Sequence, residues 1–199
     1  MRKLLESAPF VYYAYEPNDS DLLEFAAVAE ILGFEQPSWK GKNEQALRSS
    51  PAGQKSIASH IKGFLSDLGS HDMDVIVVLA QQPDNSFESA GYMLLSYDTI
   101  KGYAYLIYTA VVPDYRGKGI IGKLLVLAKE LAKANNSQGV LLEVMSKGGH
   151  EHAYEVYKHK GFVELTPEEI ADLPLLSPDN TPIVSPENLA TRSVMLASV

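Results

Sequence analysis

Apolar positions along this chain switch between two rhythms, and the switches mark its elements. Phe10 to Tyr15 is a short tyrosine-rich apolar run that predicts a first strand, and Asn18, Asp19 and Ser20 close it as a turn. Leu22, Phe25, Ala29 and Leu32 then recur at helical spacing. Asp21 and Glu24 are spaced as a capping box, and Gly33 is placed to end that helix. Between Phe34 and Gly53, Pro37, Gly41 and Pro51 interrupt any period, so a long loop or broken helix is expected around the single tryptophan, Trp39. Ile57, Ile61, Phe64, Leu65 and Leu68 share one face of a second helix. Met73 to Ala80 is continuously apolar, as in a buried strand, and Gln81 to Glu88 is a polar turn. Ser89 to Ser96 and Lys101 to Val112 read as two strands joined by a short turn, with antiparallel pairing expected.

Past these strands the helical rhythm returns over Ile121 to Ala134, and Asn135, Asn136 and Gly139 stop it. Val140 to Met145 predicts a strand, Glu151 to Lys160 a helix and Phe162 to Leu165 a strand. Thr166-Pro167-Glu168-Glu169 combines a cap, an N1 proline and a capping box, a strong helix start. Leu173 to Asn188 holds four prolines and reads as a loop, before a last strand from Arg192 to Val199. The predicted order is one strand, two helices, three strands, helix, strand, helix and two strands, with no internal repeat. This is an α/β chain.

Composition narrows the class. The 199 residues, 46% apolar and 21% charged, suit one globular domain over residues 1–199. The chain has no cysteine, which excludes a disulfide framework, a thiolate metal site and a cysteine nucleophile. Arg2 and Lys3 resemble a signal-peptide start, but Glu6 and Pro9 interrupt the apolar stretch that would have to follow. No run approaches the ~18 apolar residues of a membrane span, so a cytoplasmic protein with no membrane partner is expected. A net charge of −8 speaks against a nucleic-acid surface and slightly favours encounter with a cationic substrate.

The chemistry is concentrated in VPDYRGKGIIGKLL, Val112 to Leu125. A predicted strand enters it and a predicted helix leaves it. Glycines at such a junction let backbone N–H groups approach a ligand. The first helical turn adds unpaired N–H groups and the positive end of the helix dipole. Lys118 and Lys123 add charge, and the combination suits a phosphorylated cofactor. Gly117, Gly119 and Gly122 also fit the spacing of the dinucleotide fingerprint, but Glu143 lies inside the next strand rather than at its end. The phosphate-loop pattern runs from Gly117 to Lys123 and fails at Leu124, where a magnesium-binding hydroxyl is required.

Val111, Pro113, Tyr115, Arg116 and Gly119 fall in register with the acyl-CoA loop of the GNAT acetyltransferases, [Q/R]-x-x-G-x-[G/A] preceded by V-x-P-x-[YF]; Ile121 departs from it, with Gly122 beside it. A second segment, HEHAYEVYKHKGFVEL from His150, is similar to the family pattern N-x-x-A-x-x-x-Y-x-x-x-G-F. Ala153, Tyr157, Gly161 and Phe162 match there, and His150 replaces asparagine. The resemblance covers Tyr103 to Phe162 and the general layout of the flanks. It implies a mixed, mostly antiparallel twisted sheet of seven strands or so, splayed in the middle, with helices on both faces. It further implies acetyl-CoA as cosubstrate, held by Arg116, Gly117, Lys118, Gly119, Ile120, Ile121, Gly122 and Lys123. Backbone groups of Ala110, Val111 and Val112 would meet the pantetheine arm. The reaction implied is direct attack of a primary amine, on a small molecule or a peptide, without a covalent enzyme intermediate.

In that scheme Tyr157 protonates the departing sulfur, although its spacing from Ala153 and Gly161 equally suits a packed helix face. Glu143, mid-strand, and His150, near a helix start, are the two candidates for general base. His150-x-His152 lacks a third ligand of good spacing, so no metal is expected. Tyr103, Tyr105 and Tyr108 either line the acceptor pocket or serve as good strand formers. The segment Met145 to His150, with Gly148 and Gly149, is longer than a strand-to-helix connection needs. A non-catalytic acyl-CoA sensor on the same fold is the alternative reading, and a homodimer is left open.

Overall fold

The computed structural model describes residues 2–17, 19–146, 151–173 and 191–199. Its strands are β1 (Arg2–Ser7), β2 (Phe10–Ala14), β3 (Met73–Gln81), β4 (Phe87–Ile100), β5 (Tyr103–Val111), β6 (Gly139–Met145), β7 (Val163–Glu164) and β8 (Arg192–Ser198). They form one eight-stranded sheet in the order β1-β2-β3-β4-β5-β6-β8-β7. β5 and β6 are parallel, and the pairs β1–β2, β2–β3, β6–β8 and β7–β8 are antiparallel. The helices are α1 (Ser20–Gly33), α2 (Glu44–Ser49), α3 (Pro51–Ser70), α4 (Ile120–Ala134), α5 (Glu151–His159) and α6 (Pro167–Ala171). The expected mixed, mostly antiparallel α/β architecture is present, with one strand more than the sequence suggested.

That extra strand is β1. Its charged residues sit on a sheet edge, and Lys3 pairs with Glu6 at 2.8 Å. A register shift between Lys3 and Leu5 breaks the alternation a strand would otherwise display. The stretch expected to be a loop or broken helix contains α2 and the start of α3. Their caps are orthodox: Asn43 accepts from the Ala46 N–H at 2.9 Å, and Ser50 accepts from the Gly53 N–H at 3.0 Å. The capping box expected at Asp21 and Glu24 does not form. Asp19 is the N-cap residue, without a side-chain cap bond, and Glu24 is ion-paired with Arg48 of α2. At α6 the box does form, with Thr166 and Glu169 bonded reciprocally.

The chain divides into two compact units. The first comprises residues 1–94 and 108–124, the second residues 95–107 and 125–199. In the first, α1 buries one long apolar face, Leu22, Leu23, Ala26, Ala27 and Ile31 among it, while β3 is buried from Val75 to Ala80. In the second, Ile100, Leu141 and Val194 form a core against which Tyr103, Tyr105, Leu165, Ile170, Leu173 and Leu196 pack. The β5–β6 ladder spans only Ala104–Leu106 against Val140–Leu142, whereas β6 pairs with β8 along its whole length. Among the described residues no helix is long and apolar enough to cross a membrane.

Candidate active site

In the first unit, β5 ends at Val111 and the chain makes one 3₁₀ turn, Pro113–Tyr115, before α4 starts at Ile120. Gly117 and Gly119 both have positive φ, 74° and 80°, a region that L side chains resist. A Cβ at either would meet no atom within 4 Å, so both glycines border open space. The N–H groups of Ile120, Ile121 and Gly122 occupy the first turn of α4, where helix geometry provides no intrahelical acceptor; the ladder begins with Lys123 N–H to Gly119 C=O at 3.2 Å. Backbone donors, a helix dipole and open space above two glycines fit a pyrophosphate. Gly122, unlike Gly117 and Gly119, lies within the helix.

Arg116 is bound on three sides within the protein. Its guanidinium pairs with Glu35 at 2.6 Å and donates to the Gly33 carbonyl at 2.8 Å and the Val111 carbonyl at 3.2 Å. Its side chain ties the loop to the end of α1. Tyr115 anchors the other side, donating to Glu88 at 2.6 Å and accepting from Gln82 at 3.0 Å. The Tyr115 ring meets Phe10 edge-on, and the Lys118 ammonium lies 4.9 Å from its centre. Lys123 is exposed.

Ala110, Val111 and Val112 are buried. The Val112 N–H donates to Ala90 C=O on β4 at 3.0 Å. By the alternation of an antiparallel ladder, the Val111 N–H then points to the opposite edge of β5. Two glycines outside any motif, Gly33 and Gly91, set this corner. A Cβ on Gly91 would stand 2.8 Å from the Ala110 carbonyl oxygen, and one on Gly33 would stand 2.7 Å from the Ala110 Cβ. Gly33 was expected as a helix stop. It is the last residue of α1, and close approach is what excludes a side chain there.

The second unit carries the other candidates. Tyr157 on α5 is buried, with its ring edge-on to Phe162 at 5.6 Å. Burial pushes its hydroxyl up to about 12, so it holds its proton at neutral pH. Glu143 accepts from Arg192 at 3.2 Å across the β6–β8 ladder. Burial raises the Glu143 carboxyl, while the Arg192 bond and charge and a bond from Tyr105 pull it back down. His150 lies outside the described residues, together with most of the segment between β6 and α5, and so does most of the proline-rich loop. His152 is exposed, and among the described residues no group of three or more metal-binding side chains is gathered.

Comparison with known proteins agrees with this geometry. Residues 59–162, more than half of the chain, match the acetyltransferase (GNAT) family. The chain belongs to that family. Its fold is similar to that of an acetyltransferase from Streptococcus agalactiae 2603, with a TM-score of 0.59 at 16% identity over 97% of this chain and 100% of that one. A GNAT acetyltransferase from Staphylococcus aureus Mu50 gives 0.57 at 15%, over 95% and 98%. PaiA N-acetyltransferase from Thermoplasma acidophilum, solved with coenzyme A, gives 0.55 at 15%, over 94% and 99%. No curated protein matches the chain in sequence.

Proposed function

We propose that this chain, as one GNAT domain, is a cytoplasmic N-acetyltransferase that moves an acetyl group from acetyl-CoA to a primary amine by direct attack in a ternary complex. The observation that carries the reading is the positive-φ pair Gly117 and Gly119, which frees backbone donors at the start of α4. In this reading the loop from Arg116 to Lys123 binds the pyrophosphate through backbone N–H groups and the two lysines, while Arg116 keeps the loop in shape. The free edge at Ala110 to Val112 receives the peptide-like pantetheine arm.

The reaction forms a C–N bond and breaks the C–S bond of the thioester. The amine must lose a proton and the sulfur must gain one. Tyr157, protonated well past neutral pH, is the donor to sulfur. A buried phenol is a weak acid, but the same apolar surroundings make a thiolate more basic, which favours the transfer. Glu143 is the base, directly or through water. Its partial burial raises its basicity and Arg192 limits that rise. His150 is the other base candidate.

The test is CoA release over a panel of amines, amino acids and peptides, with CoA affinity measured alongside. Turnover with an amine supports the reading. Tight acetyl-CoA binding with no turnover over the whole panel favours the sensor instead.

A further inference from the structure

Just past α1 the Glu35 N–H donates to the Leu32 carbonyl at 3.1 Å and the Gln36 N–H to the Ile31 carbonyl at 3.3 Å. This pair of bonds needs a left-handed residue at position 35, where helices usually carry glycine. Glu35 occupies it, at φ 47°. Among the described residues, two others besides glycine have a positive φ, Asn85 and Asn136. Asparagine enters that region because its short polar side chain bonds locally, and glutamate lacks that help. A backbone outlier of this kind persists where the side chain it presents serves another part of the molecule.

The Glu35 side chain is aimed at Arg116. Its carboxylate meets the guanidinium at 2.6 Å. The same guanidinium donates to the Gly33 carbonyl, at the last residue of α1, and to the Val111 carbonyl, at the last residue of β5. One planar fork therefore joins the end of a helix, the end of a strand and the residue that precedes Gly117, all within the first unit. Its two carbonyl bonds leave the positive charge unmatched, and the Arg116 side chain is 48% exposed. With those bonds alone the fork would be free to turn toward an incoming phosphate. The carboxylate cancels its charge and supplies a third acceptor, and three acceptors fix the plane of a rigid guanidinium. Held in this way, Arg116 acts as a brace and not as a charge for the ligand.

We propose that Glu35 is a positioning residue for acetyl-CoA: by holding Arg116 against the ends of α1 and β5, it presets the loop of Gly117 and Gly119 before the pyrophosphate arrives. The proposal rests on that loop being the cofactor site. Its consequence is a conflict at one position. Glycine suits the end of α1, and glutamate suits the loop. Stability and cofactor affinity therefore part company when Glu35 is replaced by glycine.

The experiment is calorimetry of acetyl-CoA on the full chain, with thermal melts alongside, for wild type, Glu35→Gly, Glu35→Gln, Arg116→Ala, the Glu35→Gly and Arg116→Ala double variant, and Gly119→Asp. Glu35→Gly should keep or raise the melting point while acetyl-CoA affinity falls about 5-fold, the upper end for an ion pair exposed to this degree. Glu35→Gln keeps the left-handed backbone and should lose affinity to a similar extent with no gain in melting point. In the Arg116→Ala background Glu35→Gly should lower affinity no further, since its effect runs through Arg116. Unchanged affinity in Glu35→Gly while Gly119→Asp binds weakly overturns the proposal and leaves the loop as the site. A loss that persists in full in the Arg116→Ala background also overturns it, as does tighter binding from a guanidinium released onto the phosphates. A lower melting point in Glu35→Gly, in step with the lost affinity, makes Glu35 part of the helix end alone and overturns it too. Absence of acetyl-CoA binding to the wild type, or equal affinity in Gly119→Asp, removes the loop as the site and the proposal with it.

Discussion

Gly119 sits at φ 80°, yet a Cβ there would touch nothing. Gly119→Ala therefore alters backbone preference and little else. The left-handed region costs an L residue about 1–2 kcal/mol, so acetyl-CoA affinity should drop several-fold. Gly119→Asp adds a carboxylate facing the pyrophosphate and should cost more than about 10-fold. Calorimetry that finds both variants equal to wild type would remove the loop from the site. Tyr157→Phe isolates the acid: kcat should fall by ~10²-fold with CoA affinity unchanged. Because burial holds the Tyr157 proton up to about 12, kcat should show no falling limb between pH 7 and about 10 on its account. The rising limb tests Glu143. Arg192 pulls its carboxyl down, so Arg192→Gln raises it further and, if Glu143 is the base, moves the rising limb to higher pH. A pH profile identical to wild type would turn attention to His150 or solvent.

Packing at the β5 corner makes a prediction for elements. Gly91→Ala drives a methyl to 2.8 Å from the Ala110 carbonyl, and overpacking of this kind costs about 1–3 kcal/mol. Each kcal/mol lowers the melting point by about 2–4 °C in a chain of this size, so thermal melts resolve the effect; an unchanged melting point would mean that β4 and β5 relax freely. Such contacts also mark the limit of what the sequence carries. Period and cap chemistry are local, so β3, α4 and the Thr166 capping box were legible. The Asp21–Glu24 box was not realised because Glu24 had a stronger partner in Arg48, 24 residues away. α2 went unread because Pro37, Gly41 and Pro51 suggested only interruption; its cap, Asn43, is recognised only in the structure. The glycine loop was readable as a site because its residues are consecutive. Glu35 was not readable as part of it, because its partner Arg116 lies 81 residues away and no motif links them.

Over the whole molecule, a net charge of −8 attracts cations at long range. The kcat/KM for a cationic amine should therefore fall as salt rises from low ionic strength to about 0.5 M, where screening shrinks to a few ångströms. A flat salt response would confine recognition to short-range contacts. The ends of the sheet have a different consequence. At one end, β7 is two residues long; at the other, β1 lays Arg2, Lys3 and Glu6 over the apolar strand FVYYA of β2. A naked β2 would offer a row of unpaired backbone groups between buried Phe10, Val11 and Tyr12, which is a template for another chain. Removing residues 2–7 should therefore leave a protein that scatters light on concentration, as molecules recruit one another strand to strand, well before its catalytic chemistry is touched.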